Sequence, residues 1–268
     1  MLKDITLGQY LPTNSAVHRL DPRVKIISAF AFIIAVFAAR TFYSLAVVML
    51  FTAYVTCMAK IKPSYLVKAI KPVVFLVAFT AVINIFLTDG KDVLVRLGFL
   101  KVTRTGLYSA AIMAFRIIIL VCATSLLTFT TSPILLTDGI EKLLKPFSKI
   151  GLPAHELAMM MTIALRFIPT LLEETDKIIM AQKARGADFE SGNVFRRAKA
   201  LVPILVPLFI SAFRRADELA TAMECRCYRG GDNRTRLHEL KFTKADGFAG
   251  AQMAVFLVLV AVLGVFGI

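Results

Sequence analysis

Tryptophan is absent from this chain of 268 residues, histidine occurs three times and cysteine four times. Each scarcity excludes something. His18, His155 and His238 are far apart, no paired carboxylates stand out, and no Ser/His/Asp grouping emerges. A G-x-x-x-x-G-K-[ST] loop to cradle nucleotide phosphates is missing. Cys57 and Cys122 lie in apolar runs, while Cys225 and Cys227 stand only two residues apart, so there is no disulfide framework and all four read as reduced. The N-terminal stretch MLKDITLGQYLPTNS has no apolar core like that of a signal peptide. The expectation is a chain that is no enzyme by itself, with no catalytic residue, cofactor or metal.

Apolar surface and positive charge are abundant. The sequence is 57% hydrophobic, with 21 phenylalanines and a mean hydropathy of +0.72, which points to a membrane protein. Its net charge of +14 calls for a partner: nucleic acid, anionic lipid or acidic protein. Apolar runs at roughly 26–39, 44–59, 72–88, 106–129 and 248–267 predict about five transmembrane helices. Asp21 and Pro22 are suited to N-cap and first helical position. The 60–71 link carries Lys60, Lys62, Lys68 and Lys71 and no acid, whereas 40–43 holds only Arg40. The 60–71 link and the N-terminus are therefore placed in the cytoplasm. The segment 89–105 falls outside, where RLGFLKVTRTG alternates enough for a small hairpin.

The chain thus divides into N-terminal transmembrane helices (1–130), a cytoplasmic region (131–245) and a C-terminal transmembrane helix (246–268). The middle region holds 18 Lys and Arg against 13 Asp and Glu and is patterned rather than disordered. LAMMMTIALRFIPTLL (157–172) is short and interrupted by Arg166 and Pro169; LVPILVPLFISAF (201–213) contains two prolines. Both read as too short to span, and as helices buried in protein or lying at the membrane surface.

Two long amphipathic helices are expected here. Leu171 and Leu172 recur as Ile178 and Ile179; Phe209 and Phe213, and the alanines 212, 216 and 220, follow four-residue spacing that lets another helix approach. ADFESGN (187–193) joins them, with Gly192 and Asn193 as turn residues. An offset of 41 residues pairs Asp176 with Asp217, Ala181 with Ala222 and Arg185 with Arg226. Each helix so ends in an arginine between flanking residues: Ala184, Arg185, Gly186 and Cys225, Arg226, Cys227. One such ending is ordinary capping, glycine at C′ and a cation at the helix dipole. Two at matching positions read as plugs, whose guanidinium groups fork onto carboxylates in a partner's groove. A metal at Cys225-x-Cys227 needs more ligands, and His238 is the one soft neighbour in sequence.

These pieces occur in a familiar order: LGQYLPTNSAVHRLDPRVK (7–25), TRTGLYSA (103–110), LLTFTTSP (126–133), GLPAHELAMMMTIALRFIPTLLEE (151–174), AQKARG (181–186) and RRADELATAMECRCY (214–228). The chain resembles the T proteins (EcfT) of energy-coupling factor transporters, a branch of the ABC transporters that imports vitamins and transition metal ions. The resemblance implies an all-α membrane protein with a cytoplasmic pair of long crossed coupling helices. Their small-Arg-small ends dock into two ABC ATPase subunits, and the membrane face holds a substrate-binding S component. Arg185 and Arg226 fall on the two motifs. Cys225 and Cys227 depart from the usual Ala and Gly, which puts the fit of that tip in question. Arg116, within 106–129, reads either as paired with a polar group or backbone carbonyl, Asn84 being a candidate partner, or as gripping the S component.

Two other classes stay open. A basic membrane-anchored nucleic-acid binder explains the charge, but the cations form no single stripe, and nucleic acid is not among the expected partners. A stand-alone secondary transporter calls for inverted repeats within the membrane, and none is apparent.

Overall fold

In the computed structural model the described residues are 10–39, 41–88, 93–97, 100–189, 193–230 and 240–265. They form two compact units, one from the described residues of 8–140 and 239–268, the other from those of 141–238.

The first unit is a helical bundle. Helix α1 (Pro22–Ala38) starts as its sequence requires: Asp21 accepts from the Arg23 N–H at 2.8 Å and Pro22 takes the first turn. Helix α2 (Phe42–Met58) follows Thr41, whose N–H donates to Ser44 Oγ at 3.1 Å. Helix α3 (Pro63–Ile70) leads through a 3-10 turn at Lys71–Val73, where Pro72 supplies no N–H, into α4 (Val74–Leu87). Strands β1 (Val93–Leu97) and β2 (Leu100–Thr103) pair antiparallel, Leu97 opposite Leu100, so the expected hairpin is present. Thr103 caps α5 (Arg104–Thr130) by accepting from the Gly106 N–H at 3.0 Å. A Cβ at Gly106 would meet the Ile85 carbonyl at 3.0 Å, so a glycine lets α5 approach the end of α4. Helix α6 (Pro133–Leu144) follows, and α9 (Lys244–Val265) closes the chain.

Its core gathers Phe32, Val36, Leu45, Val48, Ile119 and Phe256 from α1, α2, α5 and α9. Phe51 stacks on Phe256 with centroids 4.2 Å apart. Many large apolar side chains point outward instead, Phe75 at 81% and Leu87 at 74% exposure among them, the arrangement of helices solvated by lipid.

The second unit contains α7 (Ala154–Ala184) and α8 (Val194–Cys225). Here the structure corrects the sequence reading. The segments 157–172 and 201–213 are not separate short elements: each lies within one unbroken helix, of 31 and 32 residues, that continues past Pro169 and past Pro203 and Pro207. A proline removes its own hydrogen bond and bends the helix, but the flanking turns carry on. Within these stretches Ala158 and Ile204 are buried by this chain, whereas Met160, Leu205 and Phe209 are exposed. Among the described residues, four helices can cross a membrane by length and composition, Pro63–Leu87, Arg104–Thr130, Ala154–Ala184 and Lys244–Gly264; α1 and α2 are shorter, with 17 residues each. A multi-pass all-α membrane protein results, with α7 added to the helices capable of spanning.

Candidate functional site

Both expected tips are helix ends, and both are built alike. At the end of α7, Gly186 (φ 85°) donates to the Lys183 carbonyl at 3.0 Å and Ala187 donates to the Gln182 carbonyl at 3.0 Å. At the end of α8, Cys227 (φ 56°) donates to the Glu224 carbonyl at 2.8 Å and Tyr228 to the Met223 carbonyl at 3.0 Å. Both are Schellman closures, with the arginine at the cap position and a left-handed residue after it. Every donor and acceptor in one has its counterpart 41 residues away in the other. Cys227 adopts a conformation that glycine takes without cost.

Ala184, Arg185, Gly186, Cys225, Arg226 and Cys227 are all exposed. Neither arginine forms an ion pair among the described residues, so each guanidinium is available to an external carboxylate. About a third of the way back along the helices from the tips, Arg215 of α8 donates to Glu174 of α7 at 2.9 Å. This pair is itself 41 residues apart, so the helices meet at equivalent positions. Beyond it the alanine face lies open: Ala212 is half-buried, and Ala216 and Ala220 are exposed. At the second tip a cavity of about 430 Å³ lies between Met159 and Ile163 of α7, Leu219 and Met223 of α8, and Arg226 and Arg229. Arg226 therefore stands beside an apolar floor, whereas Gly186 at the first tip has no neighbour within 4 Å of where a Cβ would stand. Glu190, Ser191, Gly192 and His238 lie outside the described residues, so the helix connection and the third ligand of a Cys225-x-Cys227 metal site do too.

The family model CbiQ, described as cobalt transport protein, matches residues 13–237. The energy-coupling factor transporter transmembrane protein EcfT of Clostridium kluyveri is 58% identical over 264 residues, covering 98% of this chain and 97% of that protein. Its namesake from Acidaminococcus fermentans is 56% identical over 263 residues, 98% of each chain. That of Bacillus subtilis is 49% identical over 246 residues, 92% of this chain and 93% of that one. The chain belongs to the EcfT family. It is thus the transmembrane component of an energy-coupling factor transporter, lodged in the membrane by several helices.

Other residues singled out by sequence now have places. Arg116 Nη2 donates to the Ala39 carbonyl at 2.7 Å, capping the C-terminal end of α1, and Nη1 lies 3.8 Å from the Met113 sulfur. Asn84 turns to its own helix, donating to the Thr80 carbonyl at 2.8 Å. The backbone-carbonyl reading of Arg116 is the one observed.

The N-terminal motif holds groups that sequence reasoning left unassigned. His18 Nε2 donates to the Leu11 carbonyl at 3.0 Å, and Ser15 Oγ donates to Nδ1 at 2.7 Å, an arrangement that suits the neutral Nε2–H tautomer. Leu11 N in turn donates to the Phe129 carbonyl at 3.0 Å. Buried Lys25 donates to the carbonyls of His18 at 3.0 Å and Thr130 at 2.9 Å. Asp246, buried at the start of α9, accepts from Asp21 N at 2.7 Å and Thr243 Oγ1 at 2.6 Å. Four segments distant in sequence are so tied at one end of the bundle. Burial pushes the His18 imidazole below its ordinary range, and the Lys25 ammonium adds to the effect, against the Leu11 carbonyl, which favours the charged form.

Proposed function

We propose that this chain is the coupling subunit of an energy-coupling factor importer and catalyses nothing itself. Two ABC ATPase subunits dock on its tips, Arg185 in one groove and Arg226 in the other. A membrane-embedded S component carries the cargo, a vitamin or other micronutrient. ATP-driven closure of the ATPases moves α7 and α8, and that movement reaches the S component. In this reading the N-terminus and residues 131–245 face the cytoplasm.

The observation that supports it is the duplicated tip: two exposed arginines, each at the cap of the same hydrogen-bonded closure, on helices that meet at equivalent positions. A lone cap of this kind needs no partner; a matched pair suits two similar grooves. Each guanidinium suits a bidentate carboxylate partner, and truncating one member of such a buried pair costs about 2–5 kcal/mol.

Co-expression of Arg185→Glu and Arg226→Glu variants with the ATPases and an S component tests this. Each variant is expected to lower ATPase recovery on the purified complex at least tenfold and to lower transport in proteoliposomes, while the T component alone inserts and melts as the wild type does. Full assembly and transport by the double variant would end the proposal.

A further inference from the structure

We infer that the lysine-bearing elbow from Lys60 to Lys71, with the outer face of α4 below it, is a binding site for an anionic phospholipid. The inference requires only that Pro63–Leu87 cross a bilayer; it is independent of what the tips dock.

Length places the lysines. The 25 residues Pro63–Leu87 rise about 37 Å, against a hydrocarbon layer about 30 Å thick. The 17 residues from Lys71 to Leu87 account for about 25 Å of that, so Lys71 stands within about one turn of the edge of the hydrocarbon, close enough for its ammonium to reach the interface, and Lys68 stands at the edge. Lys60, at φ 54°, turns the chain out of α2 towards α3, its N–H on the Cys57 carbonyl at 3.0 Å. Ile61 then inserts into the cluster formed by Ala59, Leu126 and Phe129, which leaves Lys60 and Lys62 exposed on either side of it.

The helix itself has two faces. Leu66 and Ala69 pack on the same cluster. Ser64, Val67, Lys68 and Lys71, at helical spacing, are exposed, Val67 at 65%. Below Lys71, at four-residue steps, come Phe75 and Phe79, both exposed, with ring centroids 6.4 Å apart. Ammonium groups thus sit directly above an aromatic and aliphatic strip, as a phosphate sits above its acyl chains.

Charge selects the ligand. No aspartate or glutamate occurs between Asp21 and Asp89, and among the described residues none of the four lysines makes an ion pair. Four cations of one sign at the hydrocarbon edge attract a counter-charge that none of the described residues supplies. Free phosphate answers the charge but leaves the strip bare; an anionic phospholipid answers both. Each lysine near an anionic lipid surface raises binding roughly fivefold.

The test uses the full chain, purified and exposed to equimolar phosphatidylglycerol and phosphatidylcholine with matched acyl chains, with retained lipid counted by native mass spectrometry. The wild type should retain phosphatidylglycerol preferentially and release it in high salt. The variant with Lys60, Lys62, Lys68 and Lys71 each replaced by Gln should lose at least tenfold of that retention with phosphatidylcholine unchanged, and the corresponding Arg variant should keep it. Should the fourfold Gln variant unfold, the pair Lys68→Gln and Lys71→Gln on the outward face is expected to give the same direction at reduced size. Phosphatidylglycerol retention equal to wild type in a well-folded Gln variant overturns the site. So does inorganic phosphate protecting the chain against heat as well as phosphatidylglycerol does. Loss of the S component from the complex with lipid retention unchanged would assign the face to protein instead, and would also overturn it.

Discussion

Glu174 and Arg215 meet at 2.9 Å, and each stands eleven residues before a tip arginine, Arg185 and Arg226 respectively. Each arm past the meeting point is therefore about 16 Å long. The pair acts as the point from which both tips are measured. The Arg215 side chain is 34% and the Glu174 side chain 24% exposed, so the pair's contribution to stability is small, about 1 kcal/mol or less, and a melting shift of at most about 2–4 °C follows from Arg215→Ala. Exchanging the charges, Glu174→Arg with Arg215→Glu, should recover most of the loss. A thermal double-mutant cycle measures it; a charge-exchanged chain no more stable than either single variant would show that the pair does not hold the crossing.

The two caps should respond oppositely to glycine. Gly186 has open space around it, so Gly186→Ala meets no clash and its cost, about 1 kcal/mol, is the left-handed backbone alone. Cys227 already bears that cost at φ 56°, and Cys227→Gly should therefore stabilise the end of α8 by a similar amount. Hydrogen exchange at the Tyr228 amide, which closes the motif on Met223, reports it: slower in Cys227→Gly, while Ala187 exchange is faster in Gly186→Ala. The reverse order would remove the equivalence of the two caps.

That equivalence was legible in sequence as the 41-residue offset, because Asp176 and Asp217, Ala181 and Ala222, and the two arginines repeat, although the residue after each arginine, Gly186 or Cys227, does not. Glu174 and Arg215 obey the same offset, yet their contact was not readable, since identical spacing does not say whether two helices run side by side or cross. The runs at 44–59 and 106–129 returned as α2 and α5 because uninterrupted apolar sequence leaves the backbone one economical way to satisfy itself in lipid. Pro169, Pro203 and Pro207 misled because a proline's local cost says nothing of the turns on either side. The tie between Asp21 and Asp246 joins residues 225 apart in sequence through a backbone N–H, which carries no sequence signature at all.

Acid should loosen the N-terminal tie. The folded His18 is held below the ordinary imidazole value of 6.5, so the unfolded chain takes up its proton first. The stabilisation is complete above pH 6.5 and falls away as pH drops from there through the lowered folded value. Melting temperature measured from pH 7.5 to 5 should decline in the wild type and decline less in His18→Gln. A wild-type profile flat across that window, or one parallel to the variant's, would remove His18 from the account.

Finally, the two ends of the chain should lie on opposite sides of the membrane. Pro63–Leu87, Arg104–Thr130 and Lys244–Gly264 are long and apolar enough to cross, and α1 and α2, at 17 residues each, rise about 26 Å, within reach of a thin bilayer or one adjusted to them. Helix α7 is long enough as well, but Glu173, Glu174, Asp176 and Lys177 occupy its second half, and Glu174 is engaged with Arg215 on α8. Drawing that half into hydrocarbon would add several charged side chains to the lipid at about 2.5–3.5 kcal/mol each near the bilayer centre. Five crossings, an odd number, are therefore expected, with the N-terminus inside and the C-terminus outside. Fusions of a reporter active only in the cytoplasm should be bright at residue 145 and at residue 193 and dark at the C-terminus. A bright C-terminal fusion would mean an even number of crossings. A fusion at 193 dark while that at 145 is bright would make α7 a true span, place the Arg185 tip outside the cytoplasm, and remove its docking onto an ATPase.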